Sequence, residues 1–269
     1  MTTLHADQFH HADHHRHGMA RPVVNAIDAR DLSFALRRGW DDFQAMPTHA
    51  LFIGLIYPLI GLVLATVAFG TAVLPLVFPL AAGFALIGPF AAVGLYELSR
   101  RRERGLPADW AAAFSSLNRT AAGALAGIGL LLTLIFACWL VAAQGIYWGL
   151  YGDAAPDSLL GFARDVLTTP RGWALIAIGN LVGFAFSLAV LAISVVSVPM
   201  LVDRRIDTLT AIETSLAAFR RNPLTLTAWG FVVAGLLVLG SLPLFVGLAV
   251  VMPILGHATW HLYRRIVPA

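Results

Sequence analysis

The segment GHATWHLYRR, Gly256 to Arg265, holds the residues of this chain best suited to chemistry. His257 and His261 are four positions apart, so a helix sets both imidazoles on one face. Two such imidazoles can share a metal ion, as on the helices of zinc proteases. The Glu that follows the first His in those proteases is absent, and Ala258 stands in its place. Two imidazoles on one helix face also cannot be the two axial ligands of a single haem, which approach iron from opposite sides. A plainer reading stands beside the metal one. The pair can hydrogen-bond neighbouring backbone, or lie at headgroup level with Trp260 and Tyr263 as an anchor.

Few other side chains compete. Glu97 lies one turn before Arg100, Arg101, Arg102 and Arg104, and Asp203 directly precedes Arg204 and Arg205. Glu97, Asp203, His257 and His261 are therefore a candidate polar cluster at one depth. His5, His10, His11, His14, His15 and His17 crowd the N-terminus. They are possible metal ligands with irregular spacing and nothing to preorganise them. All 18 basic residues are Arg, which leaves no Lys for Schiff-base chemistry. Cys138 is the single cysteine, so no disulfide can form within the chain. No phosphate-binding glycine loop, dinucleotide fingerprint, nucleophile elbow or carboxylate pair is present. The cofactor, if any, is unknown at this level.

The elements that must position these groups are membrane helices. Hydrophobic residues make up 58% of the chain and charged ones 12%, half the charged share of a soluble domain. The arginines are not interleaved with aromatics as on a nucleic-acid surface, so the expected partners are the lipid bilayer and other membrane proteins. A crossing needs about 20 apolar residues. Candidate spans are 50–69, 74–98, 121–147 and 173–201, then 225–240 and 243–263 as a tight hairpin. A re-entrant loop followed by one span is the alternative for 225–263. Residues 1–30 read as a disordered His-rich tail, and 31–269 as the transmembrane domain. Asp31 to Met46 reads as an amphipathic helix at the membrane surface, with Ala35, Leu36, Trp40, Phe43 and Met46 recurring every three or four positions.

With the N-terminus inside, 16 of the 18 Arg fall on the cytoplasmic side, and only Arg164 and Arg171 fall outside. The pairs Arg100/Arg101, Arg204/Arg205 and Arg264/Arg265 mark the exits of the even spans as cytoplasmic anchors. Arg100 to Arg104 are also candidate contacts for anionic lipid. The Arg alternation requires an even number of spans, so six, with both termini inside.

An internal repeat supports that count. The segment from Pro79 aligns without gaps on the segment from Pro243, matching Gly83 to Gly247, Pro89 to Pro253, Leu98 to Leu262 and the Arg pairs. It sets Glu97 on His261. Ala35, Phe43, Pro47 and Gly54 likewise align with Ala211, Phe219, Pro223 and Gly230, and a weaker copy runs from Trp110 and Phe114. The expected fold is all-α, with six spans in tandem hairpin units, each led by an interfacial helix.

Three segments carry a family resemblance: GPFAAVGLYELSRRRERG from Gly88, SVPMLVDRRIDTLTAIETS from Ser197, and PILGHATWHLYR from Pro253. Over residues 30–267 the chain resembles the bacterial predicted integral membrane proteins known as domain of unknown function 2189. The resemblance implies a bacterial inner-membrane location and no established activity. Some members are labelled as related to cytochrome c oxidase subunit I, whose His ligands lie on several helices; here His257 and His261 share one. The expectation is a non-enzymatic structural or accessory protein. The alternatives are metal or cofactor handling that assists a respiratory oxidase, and small-molecule transport.

Overall fold

The computed structural model describes residues 22–46, 75, 79, 92–108, 119–153, 155–243 and 246–268. The expected first span, most of the second, residues 1–21 of the tail and the weaker repeat start at Trp110 and Phe114 lie outside the described residues. Among the described residues every regular element is a helix. In chain order these are α1 (Ala29–Ala45), α2 (Val93–Glu103), α3 (Arg119–Tyr151), α4 (Leu159–Thr168), α5 (Pro170–Ser194), α6 (Ser197–Asp203), α7 (Thr208–Arg221), α8 (Pro223–Ser241) and α9 (Leu248–Ile266).

Local sequence explains the helix starts. Asp28 caps α1, accepting from the Arg30 and Asp31 amides at 2.7 and 3.3 Å, while the Asp31 carboxylate accepts from the Asp28 amide at 3.0 Å. This is a reciprocal capping box. Thr169 caps α5 ahead of Pro170, whose missing N–H is no loss in a first turn. Asp207 caps α7.

Residues 122–151, 170–203 and 223–241 are long and apolar enough to cross a bilayer. Their outer faces stay apolar and uncovered, with Val141 73% and Leu181 70% exposed, as a lipid-facing surface requires. Inward faces interlock. The Trp139 ring of α3 lies over Gly183 of α5, where an added Cβ would come within 3.0 Å of it, and Trp139 Nε1 donates to the Pro79 carbonyl at 3.0 Å. At the far end of α3 the Arg171 guanidinium sits 4.7 Å from the Tyr151 ring centre and pairs with Asp165 at 2.8 Å.

Residues 225–263 resolve into two helices, α8 and α9, which fold back on each other. At their turn Gly240 and Gly247 pack backbone to backbone, and a Cβ on Gly247 would lie 2.7 Å from the Gly240 carbonyl oxygen. α9 differs from its neighbours in burial. From Leu255 to Tyr263 all its side chains except that of Thr259 are buried in protein.

α1 packs along that buried half of α9 more extensively than any other described pair of helices. The expected helix at 31–46 is present, but its buried stripe of Leu32, Ala35, Gly39 and Asp42 faces α9. Of the apolar residues that mark this helix in the sequence, Ala35 and Met46 are buried, whereas Trp40 stays exposed.

Residues 22–28, ahead of α1, have no regular secondary structure but are tied down by hydrogen bonds. The Asn25 amide donates to the Ile266 carbonyl at 2.8 Å, and the Ile27 amide donates to Asn222 Oδ1 at 2.8 Å. Asn222 Nδ2 returns a bond to the Asn25 carbonyl at 3.0 Å. Asn222 thus joins α7, α8 and the N-terminal segment. Asn222→Ala leaves the buried Ile27 N–H without a partner and is expected to cost about 1–3 kcal/mol. Thermal unfolding in detergent measures this.

Candidate functional site

The three motif segments converge on α9. His257 and His261 do share a face of α9, and the carboxylate they meet is Asp42 of α1. His261 Nε2 donates to Asp42 Oδ2 at 2.9 Å. Ser99 Oγ of α2 lies 2.6 Å from the same oxygen, and Arg102 of α2 pairs with Asp42 Oδ1. Ser99 Oγ also lies 2.7 Å from His257 Nδ1. Asp42, Ser99, His257 and His261 are all buried, His257 completely.

These distances fix the protons. A carboxylate only accepts, so Ser99 must donate its single hydroxyl proton to Asp42. Ser99 Oγ then has only lone pairs to offer His257, so Nδ1 of His257 carries the proton and donates. The relay runs from His257 Nδ1–H to Ser99 Oγ–H to Asp42, with His261 and Arg102 closing on the same carboxylate. One atom is left over. His257 Nε2 is buried and has no hydrogen-bond partner among the described residues.

Burial alone would raise the Asp42 carboxyl, yet the hydrogen bonds from His261 and Ser99 outweigh it and hold it at about 2, against an ordinary 3.8. A depressed carboxylate stabilises the fold above its unfolded value, and that contribution disappears as pH falls through the folded value. A shift of this size corresponds to about 2 kcal/mol. Unfolding stability is therefore expected to drop between about pH 4 and pH 2, with the drop absent in Asp42→Asn; melting curves across this range in detergent check it.

The rest of the motif is tied down in the same way. Trp260 Nε1 donates to Glu103 at 3.0 Å, and Tyr263 Oη donates to Asp203 at 2.9 Å. Arg264 pairs with Glu103 and Asp203 at 3.1 and 3.3 Å, and Arg265 with Asp31 at 2.7 Å. Arg104 reaches Asp203 at 2.8 Å, and Arg204 donates to the Pro268 carbonyl. Gly256 lies against Leu95, with room for no side chain: a Cβ there would come within 2.5 Å of Leu95 Cδ1.

The four residues of the expected polar cluster take different partners among the described residues. Glu97 is engaged by Arg100 and Arg101 at 2.6 and 2.9 Å, and Asp203 gathers Arg104, Tyr263 and Arg264. The histidines gather on Asp42. Of the Arg anchors, Arg100, Arg101, Arg264 and Arg265 hold carboxylates of the chain itself, whereas Arg205 is exposed. Among the described residues no three of His, Cys, Asp and Glu are placed to hold a metal ion. Sequence reasoning misses Asp42, Ser99, Arg102 and Glu103. Asp42 has a signal, since it stands seven positions after Ala35 and three after Gly39, within the apolar stripe of α1. Ser99 has none.

No curated protein and no solved structure matches the chain. A family model described as Predicted integral membrane protein (DUF2189) matches residues 77–203, from the expected second span through α2 to the Asp203 that anchors Tyr263 and Arg264, with α1 and α9 beyond it. That match takes in α2 and α6 of the network, so over these residues the chain is similar to that family.

Proposed function

We propose that this chain is a non-enzymatic structural or accessory protein of the bacterial inner membrane, acting through helix packing and its Arg-rich cytoplasmic face. One observation carries the reading. Six polar side chains of GHATWHLYRR that could do chemistry (His257, Trp260, His261, Tyr263, Arg264 and Arg265) are bonded to Ser99 or to carboxylates on other helices. Ser99 is buried and donates to Asp42, the reverse of the order a serine nucleophile needs. The motif acts as a clamp.

Six spans in tandem hairpin units, with both termini cytoplasmic, belong to the same proposal. The Arg alternation supports it. So does the repeat, whose aligned Ala35 and Ala211, and Leu98 and Leu262, are all fully buried. Reporter fusions after residues 46, 108, 153, 206, 243 and 268 test the topology, and an outward reporter at 108 or 206 sinks it. Purification in mild detergent with identification of co-purifying proteins tests the accessory role. Turnover of a substrate by the isolated protein would overturn it.

The bare Nε2 of His257 favours a second reading, metal or cofactor handling. A proton fixed on Nδ1 by a hydrogen bond is how a histidine is held ready to ligate through Nε2. Metal and pigment analysis of wild type against His257→Ala/His261→Ala decides, and equal substoichiometric content in both removes the idea.

A further inference from the structure

The arginines of the Arg-rich face fall into two sets. Arg100, Arg101, Arg102, Arg104, Arg264 and Arg265 each hold a carboxylate of the chain itself. Arg37 and Arg38 of α1, and Arg220 and Arg221 at the end of α7, are exposed, and no carboxylate pairs with them among the described residues. The second set sits on the two amphipathic helices. These are joined through Asn222, whose side chain bonds both the Ile27 amide and the Asn25 carbonyl.

Their surroundings are those of a membrane boundary. Arg220 and Arg221 stand immediately before α8, a candidate span, whose Leu224 is 85% exposed. An apolar side chain so uncovered at the start of a span belongs in lipid, which sets the two guanidinium groups at headgroup depth. On α1, Arg37 and Arg38 lie among Phe34 and Trp40, both nearly half exposed, with the Phe43 ring tilted against that of Trp40 at 5.8 Å. Aromatic rings with polar edges favour the same depth. Asp41 and Glu213 are the acids on the outer faces of these helices, so the four arginines leave a positive excess.

We propose that the outer faces of α1 and α7 bind anionic phospholipid headgroups, with Arg37, Arg38, Arg220 and Arg221 holding the phosphodiesters. The proposal rests on the chain being embedded in a bilayer. Guanidinium groups bind phosphate through paired N–H donors, and each basic residue near an anionic surface adds to retention. The structure moves this role away from Arg100 to Arg104, where the sequence placed it, because those side chains are already tied to Glu97, Asp42 and Asp203.

The test uses the full chain in nanodiscs of phosphatidylcholine containing a minor fraction of phosphatidylglycerol, followed by native mass spectrometry of the lipids that stay bound. Wild type is expected to retain phosphatidylglycerol about fivefold above its bulk share, with the enrichment falling as salt rises. In Arg37→Gln/Arg38→Gln/Arg220→Gln/Arg221→Gln retention is expected to fall to the bulk share. Arg164→Gln, on exposed α4 at the other end of α3, is expected to match wild type. Retention at the bulk share by wild type, or undiminished enrichment in the fourfold variant, would overturn the proposal. The wild-type arm decides even if the variant is poorly folded. Failure to enter the disc would overturn the membrane reading and this proposal together, whereas entry at bulk composition would overturn this proposal alone.

Discussion

Asp42→Asn is expected to destabilise the protein by about 3–5 kcal/mol, the cost of breaking a buried ion-paired group from one side. Three groups donate to Asp42: Ser99, His261 and Arg102. Asparagine offers one acceptor and two donors in place of four lone-pair sites. Whichever way its amide turns, an N–H faces a donor, and the Arg102 guanidinium loses its counter-charge. The loss should also reach His257, because Ser99 no longer has a carboxylate to fix its proton and can turn towards Nδ1. Denaturant unfolding in mild detergent, compared with wild type and with Ser99→Ala, measures the effect. A loss under about 1 kcal/mol, the size of one ordinary hydrogen bond, would mean that Asp42 is not the hub of the network. Ser99→Ala leaves the carboxylate paired with His261 and Arg102 but strands the buried His257 Nδ1–H, so it is expected to cost about 1–3 kcal/mol.

The second large effect is expected at Gly39. A Cβ at this position would lie 2.7 Å from both the Ala258 nitrogen and the Ile254 carbonyl oxygen, which are backbone atoms of α9. Backbone cannot turn aside as a side chain tip can, so α1 must move off α9. Overpacking of this kind costs about 1–3 kcal/mol. Gly39→Ala is expected to fall in that range, and Gly39→Val beyond it, because retreat of α1 also draws Asp42 away from His261, one turn along the same interface. Gly145→Ala and Gly149→Ala provide the contrast. Nothing lies within 4 Å of a Cβ at either position, so both are expected to be neutral or to stabilise α3 by about 0.5–1 kcal/mol. Thermal melts of the four variants in one detergent test the ranking. A Gly39→Ala protein as stable as Gly145→Ala would show that α1 does not seat on α9.

Much of this architecture is legible in the sequence because hydropathy and helix signals are local. The spans read at 173–201 and 225–240 fall within the apolar stretches 170–203 and 223–241, and the amphipathic pattern of α1 follows from its spacing of three and four. What a stripe faces is not local. Leu32, Ala35 and Gly39 look the same in sequence whether the partner is lipid or another helix, and only the folded chain shows α9 against them. The same limit explains the site. His257 and His261 are visible as a pair from their spacing, whereas their shared carboxylate lies 219 positions from His261. The repeat draws attention to Glu97 through its alignment with His261, but a repeat relates equivalent places, and equivalent places need not touch. Glu97 turns instead to arginines three and four residues along its own helix.

The clasp between α1 and α9 also bears on how the protein is made. α1 leaves the ribosome early, and the helix that covers its buried face is among the last described elements to follow. At roughly 5–20 residues per second, the interval between Asp42 and His261 is on the order of ten to forty seconds. During that time the Asp42 carboxylate lacks its partner His261, and the stripe around Gly39 is without α9. A chain arrested before α9 would leave the buried stripe of α1 and the Asp42 carboxylate without the helix that covers them.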